Sequence, residues 1–170
     1  MKKRSLTISI IILVLIIMGA VFIILKGINN NSQNNISGNS DYNISFILNH
    51  TLQDEYHAEA IYKKIIEDFG EQRPYINIVR AEKRHSQAIE NLYRNYNLLI
   101  PDNEWEDDEK IPSFNSLQEA CQASAQAEID NIDLYEELLP VIKETDIKTV
   151  FTNNRDASKD KHLPAFNKCS

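Results

Sequence analysis

Four stretches of the chain place glutamate, tyrosine and histidine at spacings that bring them to one side of a helix. Glu55 and Tyr62 are seven residues apart, Glu82 and His85 three, Glu128 and Tyr135 seven again, and His162 follows later. At 3.6 residues per turn, offsets of three and seven return close to the same face. These polar residues fall where the helices should be apolar, so they are expected inside. Carboxylates in an apolar interior are strongly destabilising unless something pairs with them. One or two divalent cations would neutralise three of them together, and mixed carboxylate and imidazole donors suit iron, manganese or zinc. The order Glu-x6-Tyr, Glu-x-x-His, then Glu-x6-Tyr, His reads as an internal repeat of a helix pair. Its halves are unequal: 30 residues from Glu55 to His85 and 34 from Glu128 to His162.

Helices must position these groups, and the pattern from about Ser45 onward is helical. Leu48, Leu52, Ala58, Ile61, Tyr62, Ile65, Ile66 and Phe69 approximate a 3.6-residue period, closed by Gly70. A second helix is expected from Pro74 to near Tyr96, through Ile78, Ala81, Ala88, Leu92 and Tyr93. Residues 97–115 form a long acidic loop with Pro101, Trp105 and Pro112. The third helix starts after Ser116, with Glu119 placed for a capping box, and ends or kinks at Pro140. The fourth runs from about Asp146 to Ala165. Only four glycines and five prolines occur in 170 residues, which disfavours a turn-rich all-β fold. The expected fold is all-α: a four-helix bundle over residues 45–170.

The region ahead of the bundle is of another kind. Leu6 to Leu25 is twenty uncharged residues, enough for a helix of about 30 Å, the thickness of a bilayer core. Lys2, Lys3 and Arg4 precede it, so residues 1–26 are expected to be a single-pass anchor in the cell membrane, with Met1 cytoplasmic and the bundle outside. The alternative is a cleaved signal peptide, but the run is long for one and Leu25-Lys26-Gly27-Ile28 offers no small-residue cleavage site. Residues 27–44 are an Asn- and Ser-rich linker with little to bury. After residue 40 the chain has 14 basic against 25 acidic residues, a balance of −11. Such a body repels phosphate backbones, which argues against nucleic-acid binding.

The segments DEYHAEAIY (54–62), IVRAEKRHSQAI (78–89), LQEACQASAQAEIDNIDLY (117–135) and DASKDKHLPAF (156–166) resemble a ferritin-like domain related to rubrerythrins. They most resemble an uncharacterised ferritin-like family, domain of unknown function 2202, over about residues 45–170. The resemblance implies Glu55, Glu82, His85, Glu128 and His162 as metal ligands, with iron the expected metal. It makes Tyr62 and Tyr135 the groups that hydrogen-bond carboxylates across the bundle, orienting them or supplying electrons. Peroxide reduction or ferrous oxidation would be the reaction, with an electron donor the sequence does not identify. A homodimer is left open. The alternative is a non-catalytic metal-binding or envelope-interaction module.

One position departs from the pattern. A second Glu-x-x-His would place a carboxylate at 159, where this chain has Lys159. Three readings follow: two metals with one under-coordinated, a single metal, or Lys159 neutralising a carboxylate in a metal-free site. Glu59, one turn after Glu55, is a candidate replacement ligand, and Ser158 could face the site.

The remaining conspicuous residues have plainer readings. His57 lies roughly 200° round the helix from Glu55, which suggests a surface role. His50 is expected to be structural or exposed. Trp105 is expected to pin the long loop to the bundle, and the acidic stretch 104–110 to be solvated. Cys121 lies seven residues before Glu128 and Cys169 seven after His162. If the third and fourth helices are antiparallel, both cysteines fall about 10 Å from the ligand plane on the same side. A Cys121–Cys169 disulfide is therefore expected in an exported domain, the alternative being two buried free thiols. The cysteine pairs of a rubredoxin-like centre are absent.

Overall fold

The computed structural model describes residues 43–169, and every regular element in that span is helical. The expected membrane anchor and nearly all of the linker lie outside the described residues. Among those described, no helix is long and apolar enough to cross a membrane.

Helix α1 is Ile44–Phe69, started by Asn43, whose side-chain oxygen accepts the Phe46 amide at 3.3 Å. It ends at Gly70, whose φ of 87° only glycine adopts without strain and whose N–H returns to the Ile66 carbonyl at 2.8 Å. After a short connection, α2 runs Tyr75–Asn95. The loop that follows contains one 3₁₀ turn, Asp108–Lys110. Helix α3 is Leu117–Leu138. Its expected capping box is only half formed. Ser116 Oγ accepts the Glu119 amide at 3.1 Å, but Glu119 Oε2 accepts from the Asn115 amide, one residue further out. Helix α4, Thr145–Ala157, does not run straight to Ala165 as expected. It passes into a π-helical segment, Ser158–His162, and resumes as α5, Leu163–Phe166.

Helix α1 packs along α2 and also touches α3, while α4 packs against α2 and α3. The interior has two apolar clusters. One gathers Ile47, Leu48, Leu52, Ile89, Leu92, Tyr93, Tyr135, Ile142, Ile147 and Phe151. The other gathers Tyr62, Ile65, Tyr75, Ile78, Ala120, Cys121, Ala125 and Phe166. Burying each large aliphatic side chain stabilises by roughly 1.5–3 kcal/mol, so together the clusters drive assembly. On every helix the two clusters are separated by polar residues that are nonetheless buried: Glu55 and Glu59 on α1, Glu82 and Ser86 on α2, Glu128 and Asn131 on α3, and Asn154, Ser158 and His162 on the last helix. The bundle is thus built around a polar layer held between two apolar plugs.

The long loop is strapped to α1. Gln53 donates to the Asp102 carbonyl at 2.8 Å and accepts from the Glu104 amide at 3.1 Å, and the Trp105 ring stacks on His57 with centroids 3.8 Å apart. Trp105 therefore pins the loop, and His57 is its partly buried platform rather than an open surface group. Burial pulls the His57 pKa down to about 4, so the ring is neutral under Trp105. His50 is also partly buried, 6.3 Å from the ring of Phe46.

Candidate metal centre

The polar layer contains two triads of potential ligands. Glu55, Glu82 and His85 form one, and Glu82, Glu128 and His162 form the other. Within each triad the donor atoms lie within 4.8 Å of one another. Glu82 belongs to both, one carboxylate oxygen facing each. Its Oε2 is 2.9 Å from His85 Nδ1, and its Oε1 is 2.9 Å from His162 Nδ1. Glu55 Oε2 stands 3.2 Å from His85 Nδ1, and Glu128 Oε2 stands 3.4 Å from His162 Nδ1. The two imidazoles are nearly parallel, with centroids 5.4 Å apart and an interplanar angle of 19°.

The two tyrosines brace the outer carboxylates from the opposite helix. Tyr62 of α1 donates to Glu128 of α3 at 2.7 Å, and Tyr135 of α3 donates to Glu55 of α1 at 2.5 Å. In each case the phenol takes Oε1 and leaves Oε2 turned to the histidine. Burial, reinforced by the adjoining carboxylate, pushes both phenols well above their ordinary range, so they remain donors at every physiological pH.

Of the groups around these, spacing pointed only to Ser158. Asn154 donates to the Tyr135 hydroxyl at 3.1 Å and to Glu55 Oε1 at 3.4 Å. Ser158 Oγ donates to Asn131, and Asn131 donates in turn to Asp54 Oδ2 at 2.7 Å. Burial lifts the Asp54 carboxyl to about 7, against the opposing hydrogen bond from Asn131.

The structure bears on two of the open readings. Lys159 does not neutralise the site. Its ammonium pairs at 3.1 Å with Glu136 on the surface, and both side chains are about half exposed. The cause is the π segment. Its wider turn places Ser158, four residues before His162, on the buried face and swings position 159 outward. Glu59 does not join either triad. It forms an i,i+4 ion pair with Lys63 at 2.7 Å.

Electrostatics couple the histidines to the carboxylates. Burial alone would pull His85 down, but Glu55 and Glu82 outweigh it and raise the pKa to about 10. For His162 burial is likewise overcome, by Glu128 and Glu82, to about 9. Burial pushes Glu55 up despite His85, while His162 and His85 together hold Glu82 below its ordinary value against its own burial. Without a metal, two imidazoliums therefore balance much of the charge of three carboxylates. The balance is geometrically incomplete. Glu82 Oε1 and His162 Nδ1, 2.9 Å apart and fully buried, make no aligned hydrogen bond. A cation accepting both atoms would satisfy them, and the donor set of imidazole and carboxylate fits a first-row divalent metal.

Cys121 and Cys169 form a disulfide with Cα atoms 5.7 Å apart, beside the apolar cluster at the Tyr62 end.

No protein-family model matches the chain, and no curated protein matches it. The helical path is similar to that in the crystal structure of hypothetical protein MJ0754 from Methanococcus jannaschii DSM 2661, with a TM-score of 0.64. The two are 22% identical, and the likeness spans 79% of this chain and 84% of that one. At that identity the likeness speaks for the fold alone.

Proposed function

We propose that this chain is a membrane-anchored, extracytoplasmic ferritin-like protein that holds a pair of iron ions in its polar layer and uses them to reduce peroxide or oxidise ferrous iron. The observation that carries the proposal is Glu82, a buried carboxylate offering one oxygen to each of two Glu/His triads. Glu55, Glu82 and His85 would hold one ion, and Glu82, Glu128 and His162 the other. Iron bound there supplies redox chemistry toward peroxide or oxygen. The protein contributes the rest. Tyr62 and Tyr135 hold the outer carboxylates with one oxygen turned inward, and Asn154 holds Tyr135. The histidines must shed their protons before they can act as donors, so metal uptake releases protons and favours higher pH. The uncharged run Leu6–Leu25 behind Lys2, Lys3 and Arg4 supports the anchor and its orientation.

One feature favours a binding module without turnover. The last helix brings Asn154 and Ser158 to the layer instead of a carboxylate, so Glu82 is the one carboxylate common to both triads. A single preparation separates the two readings. Residues 42–170 form a compact unit with its own core. This unit is reconstituted anaerobically with ferrous iron, its metal content measured by mass spectrometry and its peroxide consumption followed. Two ions per chain, lost in Glu82→Ala, together with turnover, support the redox protein. Stoichiometric metal without turnover supports the module. Folded protein that takes up no metal ends the proposal.

A further inference from the structure

Peroxide reduction takes two electrons per molecule, and the described residues include one two-electron couple, Cys121 and Cys169. It adjoins the metal layer through an unbroken series of contacts. The Tyr75 hydroxyl lies 3.7 Å from Cys121 Sγ and 3.1 Å from Ser124 Oγ. The Tyr75 ring meets the Tyr62 ring edge-on, centroids 5.8 Å apart, and Phe166 packs against both. The Tyr62 hydroxyl ends on Glu128, a member of the second triad. The far end of the couple is open. Cys121 is fully buried, but Cys169 is only partly buried.

We propose that Cys121 and Cys169 are the electron store of this centre: as a dithiol they deliver two electrons through Tyr75 and Tyr62 to the Glu128–His162 end of the layer, and close to the disulfide. The proposal rests on the iron-dependent peroxide reading above. The balance is that of a thiol peroxidase. The two thiols lose two protons and two electrons as the S–S bond forms. Hydrogen peroxide gains both pairs, its O–O bond breaks, and two waters leave. An external dithiol resets the couple. Its thiolate attacks Sγ of Cys169, Cys121 departs as thiolate and is protonated, and the second thiol of the donor resolves the mixed disulfide and leaves oxidised. Burial of Cys121 directs the attack to Cys169.

The test uses the full chain in detergent, reduced with dithiothreitol, freed of reductant, loaded with ferrous iron and mixed with one equivalent of hydrogen peroxide. Samples are quenched in acid and alkylated, and free thiols are counted by intact mass. The expected result is disulfide closure at least about tenfold faster in iron-loaded than in metal-free protein, with Tyr75→Phe keeping its iron and closing about tenfold more slowly. Cys169→Ser is expected to keep its iron and to lose multiple turnover with dithiothreitol as donor. Equal closure rates with and without iron would mean direct thiol oxidation and would overturn the relay. So would peroxide consumption that leaves both thiols alkylatable, unimpaired turnover in Cys169→Ser, or a disulfide that dithiothreitol leaves intact in the folded protein. Failure to take up iron overturns the relay and the reading beneath it together, and metal analysis tells that outcome from the others.

Discussion

Helices α1 and α2 carry Glu55, Tyr62, Glu82 and His85; α3 and the helix begun by α4 carry Glu128, Tyr135 and His162, and the two pairs are alike wherever they brace each other. Tyr62 reaches from the first pair to Glu128 and Tyr135 returns the same bond to Glu55. They differ at one turn. In the first pair a regular helix sets Glu82 one turn before His85. In the second, the π segment puts Ser158 on the inner face and sends Lys159 out to Glu136. The first pair therefore supplies the carboxylate that both triads share, and the second contributes groups that each belong to one triad. The symmetric parts are those whose loss leaves a buried charge unsupported. At the turn where they differ, hydroxyl and amide groups stand in the layer without adding a charge.

The comparison can be broken most forcefully at Glu82. Glu82→Ala should abolish metal in both halves, and it should also destabilise the metal-free fold, because two imidazoliums lose their common partner. Metal analysis and thermal unfolding read the two effects separately, and retention of either ion would refute sharing. His85→Ala and His162→Ala should each halve the bound metal, leaving the other triad occupied. Loss of both ions from one variant alone would show which half nucleates binding. Next come Tyr62→Phe and Tyr135→Phe, each removing a hydrogen bond to a buried carboxylate at a cost of roughly 1.5–3 kcal/mol in chemical denaturation. Tyr135→Phe should cost more, because it also removes the hydroxyl that accepts from the Asn154 amide and leaves that amide only its longer bond to Glu55, 3.4 Å.

The pH dependence of the metal-free protein follows in sign from the histidines. Their folded pKa values, about 10 and about 9, lie above the ordinary 6.5. Their stabilising contribution is thus fully present below about 6.5 and is lost as pH climbs to about 10. A melting temperature falling over that interval is expected, and a flat profile would mean the imidazoles are not charged in the fold. The smallest effect belongs to Lys159→Glu. Its side chain is outside, so metal content should not change. Only an exposed ion pair is lost, within about 1 kcal/mol, plus some repulsion from Glu136. A fourth carboxylate appearing in the site, beside Glu55, Glu82 and Glu128, would contradict the π register.

The helices were legible because their signals are local: a 3.6-residue period, Gly70 after α1, Ser116 before α3. The convergence of Glu55, Glu82, His85, Glu128 and His162 was legible for a related reason, since polar residues on an apolar stripe betray themselves by position. What escaped has no period. A single-turn change from α to π winding leaves no composition signature in Ser158–His162, so the sequence left open whether Ser158 or Lys159 faces the layer. Asn154, Asn131 and Asp54 look like ordinary helix-surface residues, and only the fold shows them joined. Glu59 has the right spacing from Glu55, but Lys63 one turn on claims it first.

The Cys121–Cys169 bond joins positions 48 residues apart, and the ring it closes contains both Glu128 and His162. In the unfolded chain such a ring forbids many conformations, worth about 4 kcal/mol on a chain-entropy account. The first helix pair has no such covalent restraint and depends on packing and on hydrogen bonds such as Tyr56 to Glu90 and the His85–Glu55 contact. Opening the ring would shift the resilience of the whole bundle without disturbing one contact in it, so that the protein's hardiness would record how oxidising its surroundings are.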